Sequence, residues 1–257
     1  MSDPVGEKLY EAAMSGRASE VSSLLRDHPE IDVNFATNNE WTLLYSASFH
    51  DHVVVKLLLA HPNIHINLKN SNGETSLSLC CWKGRVSVVQ VLLKDPRVDV
   101  TLDDKDGRTP PWWASCSSWY EVIEWLIASG RDLEDIEHKK GKYGGKDYTA
   151  LEIARSRGST EVASVLDRFM ANPTQTRHEV RVKLGMLTAL AAEVFALTVF
   201  LCDDLLQLRP ASHLAATPNL AAAARFFVIT KRLPMELRMI LSSCCWFNEA
   251  KHSSQGL

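Results

Sequence analysis

The sequence of 257 residues lacks the features that mark several classes of protein. Its 28 Lys and Arg residues are balanced by 31 Asp and Glu, and a net charge of −3 does not indicate a nucleic-acid partner. Its six cysteines include no C-x-x-C pair, and the adjacent pair Cys80–Cys81 is a poor frame for disulfides, which indicates free thiols in a reducing compartment. Met1–Gly6 is polar and acidic rather than a secretory signal, so we expect a cytoplasmic or nuclear location.

Motifs for catalysis, metals and cofactors are also missing. Gly141–Lys146 looks like a phosphate loop but lacks its first Gly, and Asp147 stands in place of the Ser or Thr. Asp104–Gly107 looks like a calcium loop but lacks the ligands at its first and twelfth positions. Two pairs of nearby histidines have no cysteine or carboxylate at metal spacing. We therefore expect no enzyme activity, no cofactor and no metal site.

What the sequence does contain is a repeat with a period of about 34 residues. Pairs of leucines or Leu-Ile recur at this spacing: Leu24-Leu25, Leu58-Leu59, Leu92-Leu93 and Leu126-Ile127. Threonines that precede an apolar stretch recur with spacings of 33, 34 and 40 residues: Thr42, Thr75, Thr109 and Thr149. Self-similarity at a fixed period indicates structural units that stack on one another and share a core.

The residue types within each unit predict a pair of helices. The Thr caps the first helix by accepting from free backbone N–H groups, and alanines in that helix allow close packing. A glycine such as Gly84 ends it with a left-handed residue. Valines and leucines at helical spacing form the buried side of the second helix. A proline then follows, as at Pro29, Pro62 and Pro96, and prevents the second helix from continuing.

At these residues the sequence resembles the ankyrin repeat family, whose pattern is Gly-x-Thr-Pro-Leu-His-x-Ala-Ala, then Gly, then a helix rich in Val and Leu. The Thr-Pro-Leu-His core is nowhere intact, and Pro111-Trp112 occupies the Leu-His positions of the fourth copy. The resemblance implies an all-α solenoid of helix-turn-helix repeats with β-turn fingers over residues 1–172. The five predicted repeats are about 5–37, 38–70, 71–103, 104–138 and 139–172.

The resemblance also implies where partners bind, namely at the turn tips before the Thr and at the end of the first helix on the concave face. In this sequence the candidate partner-binding residues are Asn39, Trp41, Phe49, Asn72, Glu74, Trp82, Lys83, Asp106, Arg108, Lys146 and Tyr148. Trp41, Phe49 and Trp82 would form an aromatic ridge that anchors an interface. The alternative is that these rings pack against neighbouring repeats.

Two further features of the repeats have competing interpretations. Trp112, Trp113, Trp119 and Trp125 are interpreted as core residues rather than as binding residues. The spacing of 40 before Thr149 predicts an insertion of about seven residues within 137–146. We expect a long, basic and mobile finger, and insertions in repeat proteins often lie on the binding side. A solvated loop without a partner is the alternative.

Residues 173–257 are predicted to form a helical C-terminal region that caps the repeats, with a linker near 209–219. The segment 184–202 is apolar and reaches the lower length of a membrane span. We favour a packed helix, because its alanines insert weakly and Glu193 would lie in mid-span at a cost of a few kcal/mol. An ankyrin protein anchored in a membrane through 184–202 remains the alternative.

Residues 233–241, beginning Leu233-Pro234-Met235-Glu236-Leu237, weakly resemble the opening of an F-box and the Leu-Pro segment of a suppressor-of-cytokine-signalling box. Both modules recruit ubiquitin-ligase cores, so a substrate adaptor of a ubiquitin ligase is one alternative function. A short helix that begins at a proline and docks on the capping helix is the simpler interpretation. The function we expect is a non-catalytic module that binds an unknown protein partner or peptide.

Overall fold

Five helix pairs follow one another in the computed structural model, which describes residues 4–186 except 38, 39, 51 and 134. The first pair is α1 (Pro4–Met14) with α2 (Ala18–Asp27), and the second is α3 (Leu43–Ala47) with α4 (His52–Leu59). The third and fourth pairs are α5 (Ser76–Lys83) with α6 (Val86–Lys94) and α7 (Pro110–Cys116) with α8 (Tyr120–Ala128). A short helix α9 (Asp135–His138) and strands β1 (Gly141–Tyr143) and β2 (Lys146–Tyr148) follow. The last elements are α10 (Ala150–Ser156), α11 (Thr160–Ala171) and α12 (Pro173–Lys183).

The predicted threonine caps are confirmed at the start of four first helices. The Thr75 hydroxyl accepts from the backbone N–H of Ser78 at 3.2 Å. The Thr149 hydroxyl accepts from the N–H of Glu152 at 3.2 Å, and the Glu152 carboxylate accepts from the N–H of Thr149 in return. Thr42 begins α3 in the same way, as does Thr109 at α7. Each cap contributes on the order of 1 kcal/mol and sets the point where a repeat begins.

The helix pairs stack in chain order and share one elongated core. Each first helix packs on the next, from α1 through α3, α5 and α7 to α10, and the second helices form a parallel row. The first leucine of each pair is buried in the second, third and fourth repeats, as is the corresponding residue of the fifth: Leu58, Leu92, Leu126 and Leu166. Burial of one such side chain stabilises the fold by roughly 1.5–3 kcal/mol. The predicted all-α stack of helix pairs is therefore confirmed.

The insertion predicted before Thr149 forms a β-hairpin with regular strand pairing, and its mobility stays a prediction. Strands β1 and β2 pair antiparallel, with Lys142 opposite Asp147 and Tyr143 opposite Lys146. Gly144 and Gly145 connect them with φ of +57° and +77°. Positive φ at both central residues is the conformation that a two-residue hairpin turn needs, and glycine adopts it without steric cost.

Successive fingers are joined by backbone hydrogen bonds. The N–H of Lys105 in the fourth finger donates to the carbonyl oxygen of Asn72 in the third at 3.0 Å. The N–H of Lys142 in β1 donates to the carbonyl oxygen of Asp106 in the fourth finger at 2.9 Å. The hairpin is thus held against the preceding repeat.

Contacts divide the chain into two units, Met1–Arg181 and Val182–Leu257. Helix α12 begins at the predicted break, and its residues Thr176 and Val180 are buried. The Arg181 Nε donates to the carbonyl oxygen of Ala128 at 2.8 Å, which ties α12 to the end of α8. The predicted linker at 209–219 and the ligase-like segment 233–241 lie outside the described residues, as does all but the start of the apolar segment 184–202. Within residues 4–186, no helix combines the length and hydropathy of a membrane span.

Candidate protein-interaction surface

The described residues among those predicted to bind a partner belong to the ends of first helices or to the turns that precede them. The inner face, as we call it, is formed by the C-terminal ends of the first helices and by the turns that precede those helices. Trp82 and Lys83 lie at the end of α5, while Asp106, Arg108 and the hairpin belong to the turns. Because the first helices stack in order, the same position in each repeat lies beside its counterpart in the next.

The second repeat contributes an aromatic cluster to the inner face. The Trp41 ring lies 5.5 Å from that of Tyr45 and 5.7 Å from that of Phe49, measured between centroids. Trp41 and Phe49 are half-buried, whereas Tyr45 is buried. The cluster is therefore only partly accessible to a partner.

Glu74 is already engaged within the protein. Its Oε2 accepts from the Tyr45 hydroxyl at 2.8 Å and from the Asn70 side chain at 2.8 Å. Burial of Tyr45, followed by this hydrogen bond to Glu74, raises the pKa of the Tyr45 phenol well above its ordinary value. Glu74 was predicted to contact a partner, but the structure gives it the role of fixing Tyr45 and the third finger.

The third and fourth repeats meet through two tryptophans. The rings of Trp82 and Trp113 lie 5.4 Å apart, and the Lys83 ammonium lies 3.6 Å above the Trp82 ring. Trp82 is 39 % exposed, whereas Trp113 is 8 % exposed and supports it from below. The predicted aromatic ridge thus consists of two clusters, since Trp82 stacks on Trp113 of the following repeat and Trp41 stacks on Phe49 of its own.

Arg108 continues this row into the fourth repeat. Its guanidinium carbon lies 4.5 Å from the Trp113 ring centroid. Its Nε donates to the buried carboxylate of Asp104 at 2.9 Å, and its second nitrogen pairs with Asp106. One guanidinium faces two carboxylates, so this cluster keeps a net charge of −1, and the two ion pairs hold the guanidinium as a rigid platform beside the tryptophan.

The hairpin adds the final members of the row. The Trp112 Nε1 donates to the carbonyl oxygen of Tyr148 at 2.9 Å, and the Trp112 and Tyr143 rings lie 6.3 Å apart. The guanidinium of Arg157, at the end of α10, lies 5.8 Å from the Tyr143 ring and donates to the Cys116 carbonyl oxygen at 3.2 Å. We call the row of alternating rings and cations the ladder; its members are Trp82, Lys83, Arg108, Trp112, Trp113, Tyr143 and Arg157.

Trp119 corrects one prediction from the sequence. Trp112 and Trp113 are buried as expected and Trp125 is half-buried, but Trp119 is 43 % exposed. Its Nε1 donates to the Trp82 carbonyl oxygen at 2.9 Å, so it lies beside the ladder. A signal was present in the sequence, because Trp119 stands at the helix-cap position that polar residues occupy in other repeats: Arg17, Arg85 and Ser159.

The remaining predicted residues differ in their environment. Asn72 and Lys146 are exposed on the fingers, and Tyr148 is half-buried beneath Trp112. Asn39 lies outside the described residues. Within the described part of the chain, no group of three or more His, Cys, Asp or Glu residues is placed to hold a metal ion.

Comparison with known proteins identifies the repeats. The family model for ankyrin repeats matches three copies over residues 9–104. The chain is 29 % identical over 128 residues to the Saccharomyces cerevisiae protein named Target of rapamycin complex 2 subunit AVO2, which covers 49 % of this chain and 30 % of that protein. It is 34 % identical over 101 residues to Ankyrin repeat domain-containing protein 63 of Mus musculus, covering 39 % and 25 %.

A third relative comes from Oryza sativa and is named Probable E3 ubiquitin-protein ligase XBOS32. The identity is 37 % over 90 residues, which covers 34 % of this chain and 18 % of the relative. The chain thus spans less than a third of the length of each of these three relatives. Ankyrin repeats are modules of protein–protein interaction, and the matched region includes the second and third repeats described above. The stacked helix pairs with their threonine caps, together with the family match, identify residues 9–104 as ankyrin repeats, a module of protein–protein interaction.

Proposed function

We propose that the chain binds a protein partner on the inner face through the ladder, and that it does so without catalysis of its own. The observation that carries this proposal is the exposed Trp82 ring, which is held between the Lys83 ammonium and the Trp113 ring. Large aromatic side chains dominate the energetics of interfaces because they bury much area and lose little conformational entropy.

The packing of Trp82 reduces the entropic cost of binding further. Its ring is already fixed by Trp113 on one side, and its carbonyl oxygen is fixed by the Trp119 indole N–H. A side chain that is held before binding loses little freedom when a partner covers it. The ladder runs across three repeats, and a standard interface of roughly 800 Å² per partner fits on such a surface.

The test is a pair of double variants that remove similar groups from opposite sides of the array. Trp82→Ala with Lys83→Ala removes the exposed end of the ladder. Val53→Ala with Lys56→Ala removes an exposed apolar residue and a lysine from the second helix α4. Tagged full-length chains are used to capture proteins from cell extract, the captured proteins are identified by mass spectrometry, and each is then titrated in purified form.

We expect the first variant to bind at least one purified partner with an affinity more than about tenfold lower than that of the wild type. The affinity of the control variant should differ from that of the wild type by less than about twofold. Thermal unfolding of both variants should stay within a few degrees of the wild type. Equal binding by the wild type and the Trp82 variant would place the interface elsewhere. Loss of folding in the Trp82 variant would assign Trp82 to the core instead.

A second candidate function is that of a substrate adaptor for a ubiquitin ligase. Two rice relatives are named probable E3 ubiquitin-protein ligases, at 37 % and 31 % identity, and residues 233–241 carry the Leu-Pro pattern. The two functions are compatible, because the repeats would bind the substrate and the C-terminal segment would recruit the ligase. Co-purification of ligase scaffold subunits that is lost on Pro234→Ala with Leu237→Ala supports this candidate, and their absence from the wild-type sample refutes it.

A further inference from the structure

We infer that the partner presents an acidic, extended peptide segment to the ladder. This inference rests on the proposed function and adds the chemistry of the partner. It starts from the charges of the inner face, which do not follow the net charge of −3 of the whole chain.

The cations along the ladder outnumber the acids that could neutralise them. Lys83 lies over the Trp82 ring, and Arg157 donates to the Cys116 carbonyl oxygen and the Tyr143 hydroxyl, so neither meets a carboxylate. Lys142 and Lys146 are exposed on the hairpin. Among the described residues, which do not include Asp51 and Glu134, no ion pair joins any of these four cations to an acid at 4.0 Å or less.

The acids of the same face are engaged elsewhere. Asp104 and Asp106 both pair with Arg108, and Glu74 accepts from Tyr45 and Asn70. Asp147 lies opposite Lys142 in the hairpin and, like Asp106, is exposed beside the ladder. When Arg108 is counted with the four unpaired cations, five cations stand against the four acids, so a partner that lies across this surface meets a small excess of positive charge.

The ladder has the length of a short extended segment. It begins at the end of α5 in the third repeat and finishes at the hairpin and the end of α10 in the fifth. The distance from the third to the fifth repeat is two helix-to-helix spacings of about 10 Å, or roughly 20 Å. An extended peptide rises about 3.3 Å per residue, so about six residues span this distance. A segment with several Asp or Glu residues and one apolar residue for Trp82 complements the surface.

A single-stranded nucleic acid, the other polyanion that aromatic and basic surfaces bind, fits less well. Bases stack on the faces of exposed rings; Trp112 and Trp113 are only 1 % and 8 % exposed, which leaves Trp82 and Tyr143 as the exposed rings of the ladder. The carboxylates of Asp104, Asp106 and Asp147 would also lie close to a continuous row of phosphates. Spaced carboxylates can avoid these acids because their positions along a peptide are not uniform.

Peptide display on the full chain tests the inference directly. Random twelve-residue peptides on phage are selected against the wild type, and the enriched peptides are resynthesised with fluorescein for anisotropy titrations. The test variant is Lys83→Glu with Lys142→Glu and Lys146→Glu. The matched control is Lys8→Glu with Lys56→Glu and Lys94→Glu, which makes the same change in net charge at exposed positions on α1, α4 and α6.

We expect the enriched peptides to carry more Asp and Glu than Lys and Arg. Their affinity should fall by at least about tenfold in the test variant and by less than about threefold in the control. Circular dichroism and thermal unfolding should show that both variants fold.

If the enriched peptides are neutral or basic and bind less tightly to the Trp82→Ala, Lys83→Ala variant, the inference of an acidic partner is overturned. The proposed function is then still supported, because the peptides bind at the ladder. Peptides that are insensitive to both sets of variants, or the absence of enrichment, would count against both. Tighter binding of a twenty-nucleotide oligo-dT than of the acidic peptides would also overturn the inference.

Discussion

The guanidinium of Arg131 donates a hydrogen bond of 2.6 Å to the backbone oxygen of Asp95, just past the end of α6. The same guanidinium also donates to the Pro96 oxygen at 3.0 Å. An equivalent bond joins Arg97 to the Leu59 oxygen at the end of α4, at 2.9 Å. Carbonyl groups at helix C-termini carry partial negative charge and lack intrahelical partners, so an arginine from the next repeat satisfies them and joins two repeats.

We predict that Arg131→Met destabilises the array by about 1–3 kcal/mol. The change keeps most of the aliphatic stem but leaves carbonyl oxygens at the α6 end without a charged donor. Urea unfolding followed by circular dichroism measures the change. Arg26→Met serves as the control, because the Arg26 side chain is 72 % exposed and pairs only with its neighbours Ser23 and Asp27; its effect should stay within about 0.5 kcal/mol. A loss for Arg26→Met equal to that for Arg131→Met would contradict the interpretation.

The adjacent residues Trp112 and Trp113 differ in one hydrogen bond. The Trp112 Nε1 donates to the Tyr148 carbonyl oxygen, whereas the Trp113 Nε1 is buried and meets no acceptor among the described residues. We predict that Trp112→Phe costs about 1 kcal/mol more in unfolding free energy than Trp113→Phe. Both changes remove similar volume from a buried site, but the first also leaves a carbonyl of the hairpin unpaired. Chemical denaturation of the two variants in parallel provides the measurement, and a greater loss for Trp113→Phe would refute the assignment.

The fold could be predicted from the sequence because its determinants lie close together in the chain. A Thr cap acts on a backbone N–H three residues away, as at Thr75 and Ser78, and Leu92 and Leu126 repeat at the period of the stack. Each such signal is local or periodic and needs no knowledge of side-chain positions. Five registered copies then determine the stacking, since no unit can bury its apolar side alone.

The surface was less predictable because its contacts join residues of different repeats. From the sequence, Glu74 is predicted to be a free acid at a turn tip. In the structure it accepts a hydrogen bond from Tyr45, which is 29 positions away and belongs to another repeat. Trp82 contacts Trp113 of the following repeat rather than Phe49 of the preceding one, which depends on the packing of α5 on α7. The hairpin carried a clear local signal in Gly144-Gly145, yet its strand pairing was not predicted.

Asp95 should make stability depend on acid pH. Hydrogen bonds from the Arg97 side chain, chiefly, hold the pKa of the Asp95 carboxyl below its usual range, and the Arg97 backbone N–H adds to this. The stabilisation is complete above the unfolded pKa of about 3.9 and is lost as the pH falls through the lower folded pKa. We predict that Asp95→Asn flattens the decline of unfolding free energy between about pH 5 and pH 2, as measured by urea titrations at each pH.

Arg97→Met provides the control for this pH effect. It removes the principal cause of the lowered pKa, so it should flatten the same part of the profile. The double variant should flatten the profile no further than Asp95→Asn alone, because the two residues act as one pair. Additive effects of the two changes on the slope would show that Asp95 owes its acidity to other groups.

Ser118 occupies a backbone conformation that glycine adopts in the neighbouring repeats. Its φ is +63°, and the corresponding residues Gly84 and Gly158 have φ of +66° and +74°. A side chain in this left-handed region costs about 1 kcal/mol, which glycine avoids. We predict that the free energy of unfolding is about 1 kcal/mol higher for the Ser118→Gly variant than for the Ser118→Ala variant. Both variants lose the hydroxyl that contacts Ser159, so the comparison isolates the backbone. Gly84→Ala should do the reverse and destabilise, since its Cβ would lie 2.4 Å from the Trp119 ring. Equal stability of the two Ser118 variants in urea titrations would show that the left-handed conformation costs nothing at this turn.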